Sequence, residues 1–458
     1  MIQHEEMCDR EALIDDFCSA VQKRSAAVFV GAGISIASGL PSWFDLLLPE
    51  ARRLGIRFDP GDDPAEVAQY VVNSDLGNRG PFVNRIRAAL DRNAAPNSYH
   101  VALGRTPLDS IWTTNYDTLI EESLGRFRLA VHASDADIGH PAESADIEIV
   151  KIHGCISRSA PEELVLTKED YEDFTVRRAA TADRLRGELL RRSFLFLGYG
   201  FADRTINNIL VEARRLARRA TRRHYVVEKR LSGAAEDDCE ARRQAHWAAD
   251  LRRMGIHCVF VEEFCELGEI LDAIALRSRG PTVYVTGSHE KQSELAAALG
   301  RLLASSQDPK VVALDGQSEG VSRDFTAAFG EECVVRRIDL RDRLHLFPNP
   351  YAMNPAFSND RSLLPTLAQV RRPLVRAAQV VVVFAGGMGT RMEVELALKE
   401  GCRIIPVPLE RGDYGDELLR SKGIVASIAE FDPDYVKAVL SDGMTAERLA
   451  TCVTRGLR

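Results

Sequence analysis

Short runs of consecutive apolar, often β-branched residues alternate along the chain with segments whose apolar positions recur at helical spacing. Ala26 to Val30, the start at Ile111, Phe127 to Val131, Ile147 to Ile152, Phe194 to Leu197, Tyr225 to Val227 and Cys258 to Val261 have the length and composition of buried strands. Between them, Asp9 to Lys23 sets Leu13, Ile14, Phe17, Cys18 and Val21 on one helical face, a lid for the sheet. Trp43 to Leu54 reads as a helix. Asp62 to Arg92 carries helical patterning broken near Gly77 and Gly80, as expected of a helical insertion beside a cleft. Strands alternating with helices predict a parallel, doubly wound sheet with helices on both faces.

Around Arg277 to Pro281 the pattern restarts. Ser278, Arg279, Gly280 and Pro281 break the preceding helix, and Thr282 to Thr286 then runs as a strand into Gly287 and Ser288. Its counterpart is Val380 to Phe384, which runs into Ala385-Gly386-Gly387-Met388-Gly389-Thr390 and a helix carrying Glu393. The expected fold class is therefore α/β, with two Rossmann-like doubly wound parallel-sheet domains in tandem, residues 1–278 and 281–458.

Composition narrows the classes of function. The 458 residues are 45% hydrophobic and 28% charged, the make-up of a globular chain with ample core. No apolar run approaches the roughly 18 residues a membrane span requires, and Met1 to Arg10 is polar and acidic, so the expected location is the cytoplasm without membrane attachment. A net charge of −8 disfavours general nucleic-acid affinity. One basic run, Arg214, Arg215, Arg218, Arg219, Arg222 and Arg223, would line a helix face, either as a solvated or subunit-contacting stripe or as a phosphate contact.

The candidate chemistry sits where strands should end. After Ala26 to Val30 come Gly31, Ala32 and Gly33, a turn that brings backbone close to a phosphate, with Ser35 opening a helix whose first amides would favour a pyrophosphate. Later strand ends carry Thr113-Thr114-Asn115-Tyr116-Asp117, then His153-Gly154-Cys155, then Gly198-Tyr199-Gly200. A purely structural turn would explain any one of these alone. Together, Gly-Ala-Gly-x-Ser with the following Gly39-Leu40-Pro41, Thr-x-Asn-x-Asp, His-Gly and the late Gly-x-Gly resemble the sirtuin family over roughly residues 10 to 275.

That resemblance implies an NAD site. Asn115 and His153 would be the essential catalytic pair, with Asp117 adding a negative field, bracing its loop or capping the next helix. Gly31, Ala32, Gly33 and Ser35 would contact phosphate, and Gly198 and Gly200 the adenosine side, with Tyr199 packing beneath them. Cys155 can be a nucleophile in principle, yet the ordinary reading is a small buried thiol. Protein-deacylating sirtuins also carry a zinc module of two Cys-x-x-Cys pairs, and none of the nine cysteines here has that spacing. No zinc is expected, and protein deacylation is correspondingly disfavoured.

The second glycine pair resembles the SLOG superfamily over about residues 281 to 410, whose Pro-Gly-Gly-x-Gly-Thr-x-x-Glu cradles a nucleotide phosphate. Ala385 stands where that family has proline. The resemblance implies an activator site made by Gly287, Ser288, Gly386, Gly387, Gly389, Thr390 and Glu393. Arg371, and next Arg361, would bring positive charge against phosphate.

A sirtuin-like module followed by a SLOG module resembles the effector of the bacterial Thoeris anti-phage system. This implies an NAD glycohydrolase that releases nicotinamide and ADP-ribose and depletes NAD. It also implies activation by a cyclic ADP-ribose isomer made by a TIR-domain partner, and a homo-oligomer, expected as a tetramer. The competing readings are a protein deacylase, a nucleotide-binding sensor without catalysis, and a SLOG unit that itself cleaves nucleoside monophosphates.

Overall fold

The computed structural model describes residues 9–91, 94–139, 144–217, 222–231, 239–349 and 364–458. The chain divides into two compact units, residues 1–274 and 275–458.

In the first unit, β1 (Ala26–Val30), β2 (Ser110–Thr113), β3 (Leu129–His132), β4 (Ile147–Lys151), β5 (Ser193–Leu197), β6 (His224–Lys229) and β7 (Ile256–Val261) form a seven-stranded sheet in the order β3-β4-β2-β1-β5-β6-β7. Every pairing is parallel. All five residues of β1 are buried, which is why that strand reads as a continuous apolar run rather than an alternating one. The chain leaves β1 towards β2 on one side and returns to β5 on the other. The crevice beyond the carboxyl ends of β1 and β5 is therefore the topological switch point of the sheet.

The Arg10–Gln22 helix buries Leu13, Ile14, Phe17 and Val21 in a core shared with Val28 and Val30 of β1 and Leu195 and Leu197 of β5. The helical insertion folds as Trp43–Arg53, Pro64–Ser74 and Gly80–Leu90. Its Leu47, Val71, Phe82 and Ile86 make a separate small core with Tyr116 and Leu166. Its starts are locally encoded. Ser42 and Asp45 cap the first helix reciprocally, and Asp63 accepts from the Ala65 amide at the second.

The second unit has β8 (Thr282–Thr286), β9 (Val312–Asp315), β10 (Leu344–Leu346), β11 (Val380–Val383) and β12 (Arg403–Pro406) in the order β10-β9-β8-β11-β12, again all parallel. Its switch point lies between β8 and β11. β11 is four consecutive valines, all fully buried.

Two expectations change. The helix placed near Ser35 begins at Ala32 and is only five residues long, Ala32–Ile36. The arginine run does not form one face. The Arg204–Ala217 helix ends before Arg222 and Arg223, Arg223 Nη1 is instead tied to Asp16 Oδ2 at 2.9 Å, and Arg218 and Arg219 lie outside the described residues.

Candidate active site

The first glycine turn is shaped by backbone meeting backbone. A Cβ at Gly31 would come within 2.4 Å of the Gly198 carbonyl oxygen, and one at Gly33 within 2.8 Å of Gly198 Cα. The amides were expected to face a ligand, but Gly31 N–H donates to Leu197 O and Gly33 N–H to Gly198 O, both at 2.9 Å. The physical reason is the switch point itself. The turns after β1 and β5 must interlock there, and only glycines allow it. Ala32 and Ser35 remain at the cleft from this turn, and Gly198 and Gly200 from the other. Gly200 has open space where a side chain would stand, so protein packing alone does not demand glycine there.

Above this junction lies a cleft of about 790 Å³. Each strand around the switch point supplies part of its wall: Ala32 and Ser35 after β1, Thr114 to Asp117 after β2, His153 after β4, and Gly198 to Gly200 with Ala202 to Thr205 after β5. Asp63 and Leu90 from the insertion close it on one side, with Lys168 and Tyr171 from the Lys168–Glu172 helix.

Asn115 is 5% exposed and held by its amide nitrogen, which donates to Ser35 Oγ at 3.0 Å and to Gly31 O at 3.2 Å. Its Oδ1 is buried without a hydrogen-bond partner. An anchored amide with an unsatisfied carbonyl is an acceptor waiting for a hydroxyl or a water, because leaving it unpaired costs about 1–3 kcal/mol. Asp117 braces its loop: its Oδ1 accepts from Leu119 N at 3.0 Å, across Thr118, which is the N-cap of the Leu119–Ser123 helix. Its carbonyl accepts from the buried Lys151 ammonium, which also pairs with Glu121 Oε1 at 3.0 Å.

His153 is 4% exposed, with Tyr171 set edge-on at a ring distance of 5.3 Å, Phe174 edge-on at 6.4 Å and Tyr116 at 6.2 Å. Burial pushes both phenols far above their ordinary pKa, so they remain neutral. Asp203 Oδ2 approaches His153 Nε2 to 3.0 Å. It is an ion-pair approach rather than an aligned hydrogen bond, since neither atom has a hydrogen-bond partner. Cys155 is fully buried, its Sγ 3.3 Å from Ser157 Oγ, as an inert core thiol would be.

In the second unit, Gly287 (φ 141°) and Gly386 bring two turns together: a Cβ on Gly287 would meet Phe384 Cβ at 2.6 Å, and one on Gly386 would stand 3.2 Å from Gly287 Cα. Ser288 N–H donates to Ala385 O at 3.0 Å. The alanine at 385 has a local reason, since its N–H donates to Gln292 Oε1 at 2.9 Å, a bond proline cannot make. Gly387 caps the Met388–Lys399 helix, and Gly387 and Gly389 both face open space. Thr390 is buried behind them.

Arg371 and Glu393 were expected to face a ligand, and the structure turns both inward. Arg371 is 1% exposed; its Nε donates to Glu393 Oε1 at 2.7 Å, Nη1 to Gly316 O at 2.6 Å, and Nη2 to Tyr284 Oη at 2.8 Å and Ser318 Oγ at 2.9 Å. Glu393 also accepts from the Tyr284 and Thr286 hydroxyls. A guanidinium and a carboxylate this deeply placed satisfy each other first, so they brace the crevice from beneath. Arg361 lies outside the described residues.

Sequence reading missed Asp203 and Tyr171. The signal for Asp203 was an acidic residue close behind the Gly198 turn, ahead of a helical pattern; Tyr171 gave none. Among the described residues, no group of three or more His, Cys, Asp and Glu side chains is placed to hold a metal ion.

Residues 109–251 match the model of the SIR2-like domain. The NAD(+) hydrolase ThsA of Bacillus cereus (strain MSX-D12) is 34% identical over 285 residues, 61% of this chain and 60% of that protein, so the match spans less than two thirds of that relative. The NAD(+) hydrolase ThsA of Cytobacillus dafuensis is 28% identical over 434 residues, 87% of this chain and 85% of its own length. The defense-associated sirtuin 2 of Bacillus subtilis is 23% identical over 207 residues, 43% of this chain and 20% of that protein. Residues 109–251 are thus similar to the SIR2-like domain, and the chain as a whole is similar to the ThsA NAD(+) hydrolases.

Proposed function

We propose that the first unit hydrolyses the bond between nicotinamide and ribose in NAD, releasing nicotinamide and ADP-ribose. The observation that carries this is the convergence of Asn115 and His153 on one cleft, with the buried Asn115 Oδ1 unpaired. The NAD(+) hydrolase activity for which the ThsA relatives are named supports it.

As the C1′–N bond breaks, nicotinamide leaves as a neutral base and positive charge grows on the ribose. Asn115 Oδ1 is suited to accept from a ribose hydroxyl or from the attacking water without adding charge. His153 is suited to take the proton that water loses. The phenols of Tyr116 and Tyr171 stay neutral beside the imidazole and add no charge to it.

We further propose that the second unit binds a cyclic ADP-ribose isomer made by a TIR-domain partner and so switches on NAD loss as an anti-phage response, in a homotetramer. Gly287, Ser288, Gly386, Gly387, Gly389 and Thr390 would receive its phosphates at the β8/β11 switch point, where the Met388–Lys399 helix directs its first amides. Among the described residues no helix is long and apolar enough to cross a membrane, in keeping with a cytoplasmic reading.

The test is incubation of the full chain with NAD alone, with and without cyclic ADP-ribose isomers and with a chelator present, following nicotinamide and ADP-ribose. Release without any acylated peptide, stimulated by an isomer and insensitive to chelator, is expected. Asn115→Ala and His153→Ala should each lower turnover by about 10²-fold or more while unfolding normally. Nicotinamide release that requires an acyl-peptide would overturn hydrolysis in favour of deacylation.

A further inference from the structure

Asp203 sits just after a strained turn of the chain. Gly198 (φ 60°) is followed by Phe201, a non-glycine residue held at φ 54°. A bulky side chain in the left-handed region costs of order 1–3 kcal/mol and persists only where its surroundings enforce it. Here they do. The Phe201 ring lies 5.0 Å from those of Phe196 and Tyr199 and 6.0 Å from that of Trp247, and Asn207 Nδ2 donates to the Phe201 carbonyl at 2.7 Å. The consequence is that residue 203 leaves the β5 end facing the β4 end, where His153 stands.

The two oxygens of Asp203 then do different things. Oδ1 accepts from Thr205 N at 2.9 Å and Ile206 N at 3.1 Å, capping the Arg204–Ala217 helix, whose amino end favours the ionised carboxylate. Oδ2 is not spent on the cap. It stands 3.0 Å from His153 Nε2, and both atoms are buried without a hydrogen-bond partner. A cap alone needs one oxygen, and a core histidine alone would have both nitrogens satisfied.

We propose that Asp203 is the positioning partner of His153: its free oxygen holds the proton on Nε2, leaves Nδ1 as the basic nitrogen, and stabilises the imidazolium formed during NAD cleavage. The proposal rests on the NAD-hydrolysing reading of the cleft. In the step concerned, the water oxygen bonds to ribose C1′ while the C1′–N bond breaks with its electron pair going to nicotinamide. One water proton passes to His153 Nδ1, and Asp203 stays ionised throughout.

The groups facing the imidazole are few. From the segment after β5 comes Asp203; from the loop after β2, Tyr116; from the Lys168–Glu172 helix, Tyr171; and Phe174 adds no charge. Asp170 and Arg79 act on the Tyr116 phenol and Asp63 on that of Tyr171, and burial keeps both phenols neutral. Asp203 is thus the charged group paired with the ring. An adjacent anion stabilises the imidazolium that forms when the ring takes the water's proton.

The experiment compares Asp203→Asn and Asp203→Ser with wild type in the full chain. Both substitutes still accept from the amides of Thr205 and Ile206, so the helix keeps its cap. Expected is a fall in kcat of about 10²-fold with KM changed less than about 3-fold, together with a shift of the acidic limb of the kcat/KM profile to lower pH. Nitrogen NMR of the His153 ring in the absence of NAD should show the proton on Nε2 in wild type and redistributed between the two ring nitrogens in Asp203→Asn. A purely structural Asp203 would lower thermal stability or raise KM and leave both the acidic limb and the ring tautomer as they were. That outcome, or an unchanged kcat, overturns the proposal. If wild type releases no nicotinamide, the hydrolase reading fails while the ring tautomer still decides whether Asp203 governs His153.

Discussion

Lys151 Nζ lies 3.0 Å from Glu121 Oε1, deep in the first unit, and also donates to the carbonyl of Asp117. The pair joins the end of β4, two residues before His153, to the loop that presents Asn115. It therefore fixes the distance between the two proposed catalytic side chains. The Lys151 side chain is fully buried, and Glu121 Oε2, the oxygen Lys151 does not meet, has no hydrogen-bond partner. Removing the cation alone would strand a carboxylate in the core.

Lys151→Met is accordingly expected to destabilise the first unit by about 3–5 kcal/mol. Lys151→Met combined with Glu121→Leu should recover most of that loss, because two apolar groups leave no buried charge behind. Urea unfolding of both variants measures the difference. Nicotinamide release by the double variant then reports how far the ion pair serves placement of Asn115 rather than stability.

The legible parts of this site are those where local sequence carries the physics. Asn115 and His153 end strands whose apolar runs are unmistakable, so strand and side chain could be read together. β3, an edge strand, was expected at Phe127 to Val131 and is observed at Leu129–His132. Phe127 N–H closes a turn onto Leu124 O instead, and the strand's half-buried residues give a weak periodic signal. Asp203 was not legible because its meaning depends on a left-handed backbone turn and on a partner far away in sequence. Arg371 was misread for a related reason. Spacing before a glycine turn is the same for a guanidinium that faces solvent and for one buried on a glutamate.

Two glycine positions with opposite surroundings make a paired prediction. At Gly31 an added methyl would press on the Gly198 carbonyl at 2.4 Å, backbone against backbone, so Gly31→Ala should cost about 1–3 kcal/mol or more and lower nicotinamide release as the β1 and β5 turns separate. At Gly389 the methyl would meet nothing within 4 Å. Inside the Met388–Lys399 helix, Gly389→Ala should stabilise by about 0.5–1 kcal/mol. If phosphate sits against that turn, the same variant should need more activator for half-maximal stimulation. Thermal unfolding and an activation curve on each variant check both halves.

Acid should weaken the first unit through His224. Its Nδ1 accepts from the Phe194 amide at 3.1 Å, which requires the neutral ring, and burial, with a smaller contribution from His257, pushes its pKa from 6.5 down to about 4. A folded-state pKa below the unfolded value means that the unfolded chain binds the proton first. The stability is therefore complete above about pH 6.5 and is lost progressively as pH falls towards 4, by roughly 3 kcal/mol in all. His224→Asn keeps an acceptor near the Phe194 amide and cannot titrate. The slope of unfolding free energy against pH between 4 and 6.5 should flatten in that variant; an unchanged slope would assign the acid sensitivity to other groups.

The Arg371–Glu393 pair separates bracing from binding in the second unit. Arg371 ties together the Leu364–Ala377 helix, the Gly316 and Ser318 segment after β9, Tyr284 on β8 and Glu393 on the Met388–Lys399 helix, so these segments beside the β8/β11 crevice lean on one guanidinium. A Cβ at Gly316 would stand 2.4 Å from Arg371 Nη2, and the absence of that side chain is what lets the guanidinium reach the Gly316 carbonyl. If Arg371 met the activator directly, Arg371→Ala would weaken activation and leave the fold intact. Placed as it is, Arg371→Ala should instead strand Glu393 and cost about 3–5 kcal/mol, lowering the second unit's melting temperature before any ligand is added. Arg371→Lys should be only partly tolerated, because an ammonium cannot span the carboxylate, the carbonyl and both hydroxyls from one position. Basal nicotinamide release should persist in either variant, since the residues that line the proposed catalytic cleft all belong to the first unit. Calorimetry without activator, followed by an activation curve at a temperature where the variant remains folded, distinguishes the two roles. An Arg371→Ala protein that melts like wild type yet fails to respond to activator would show that the side chain swings out to meet its ligand.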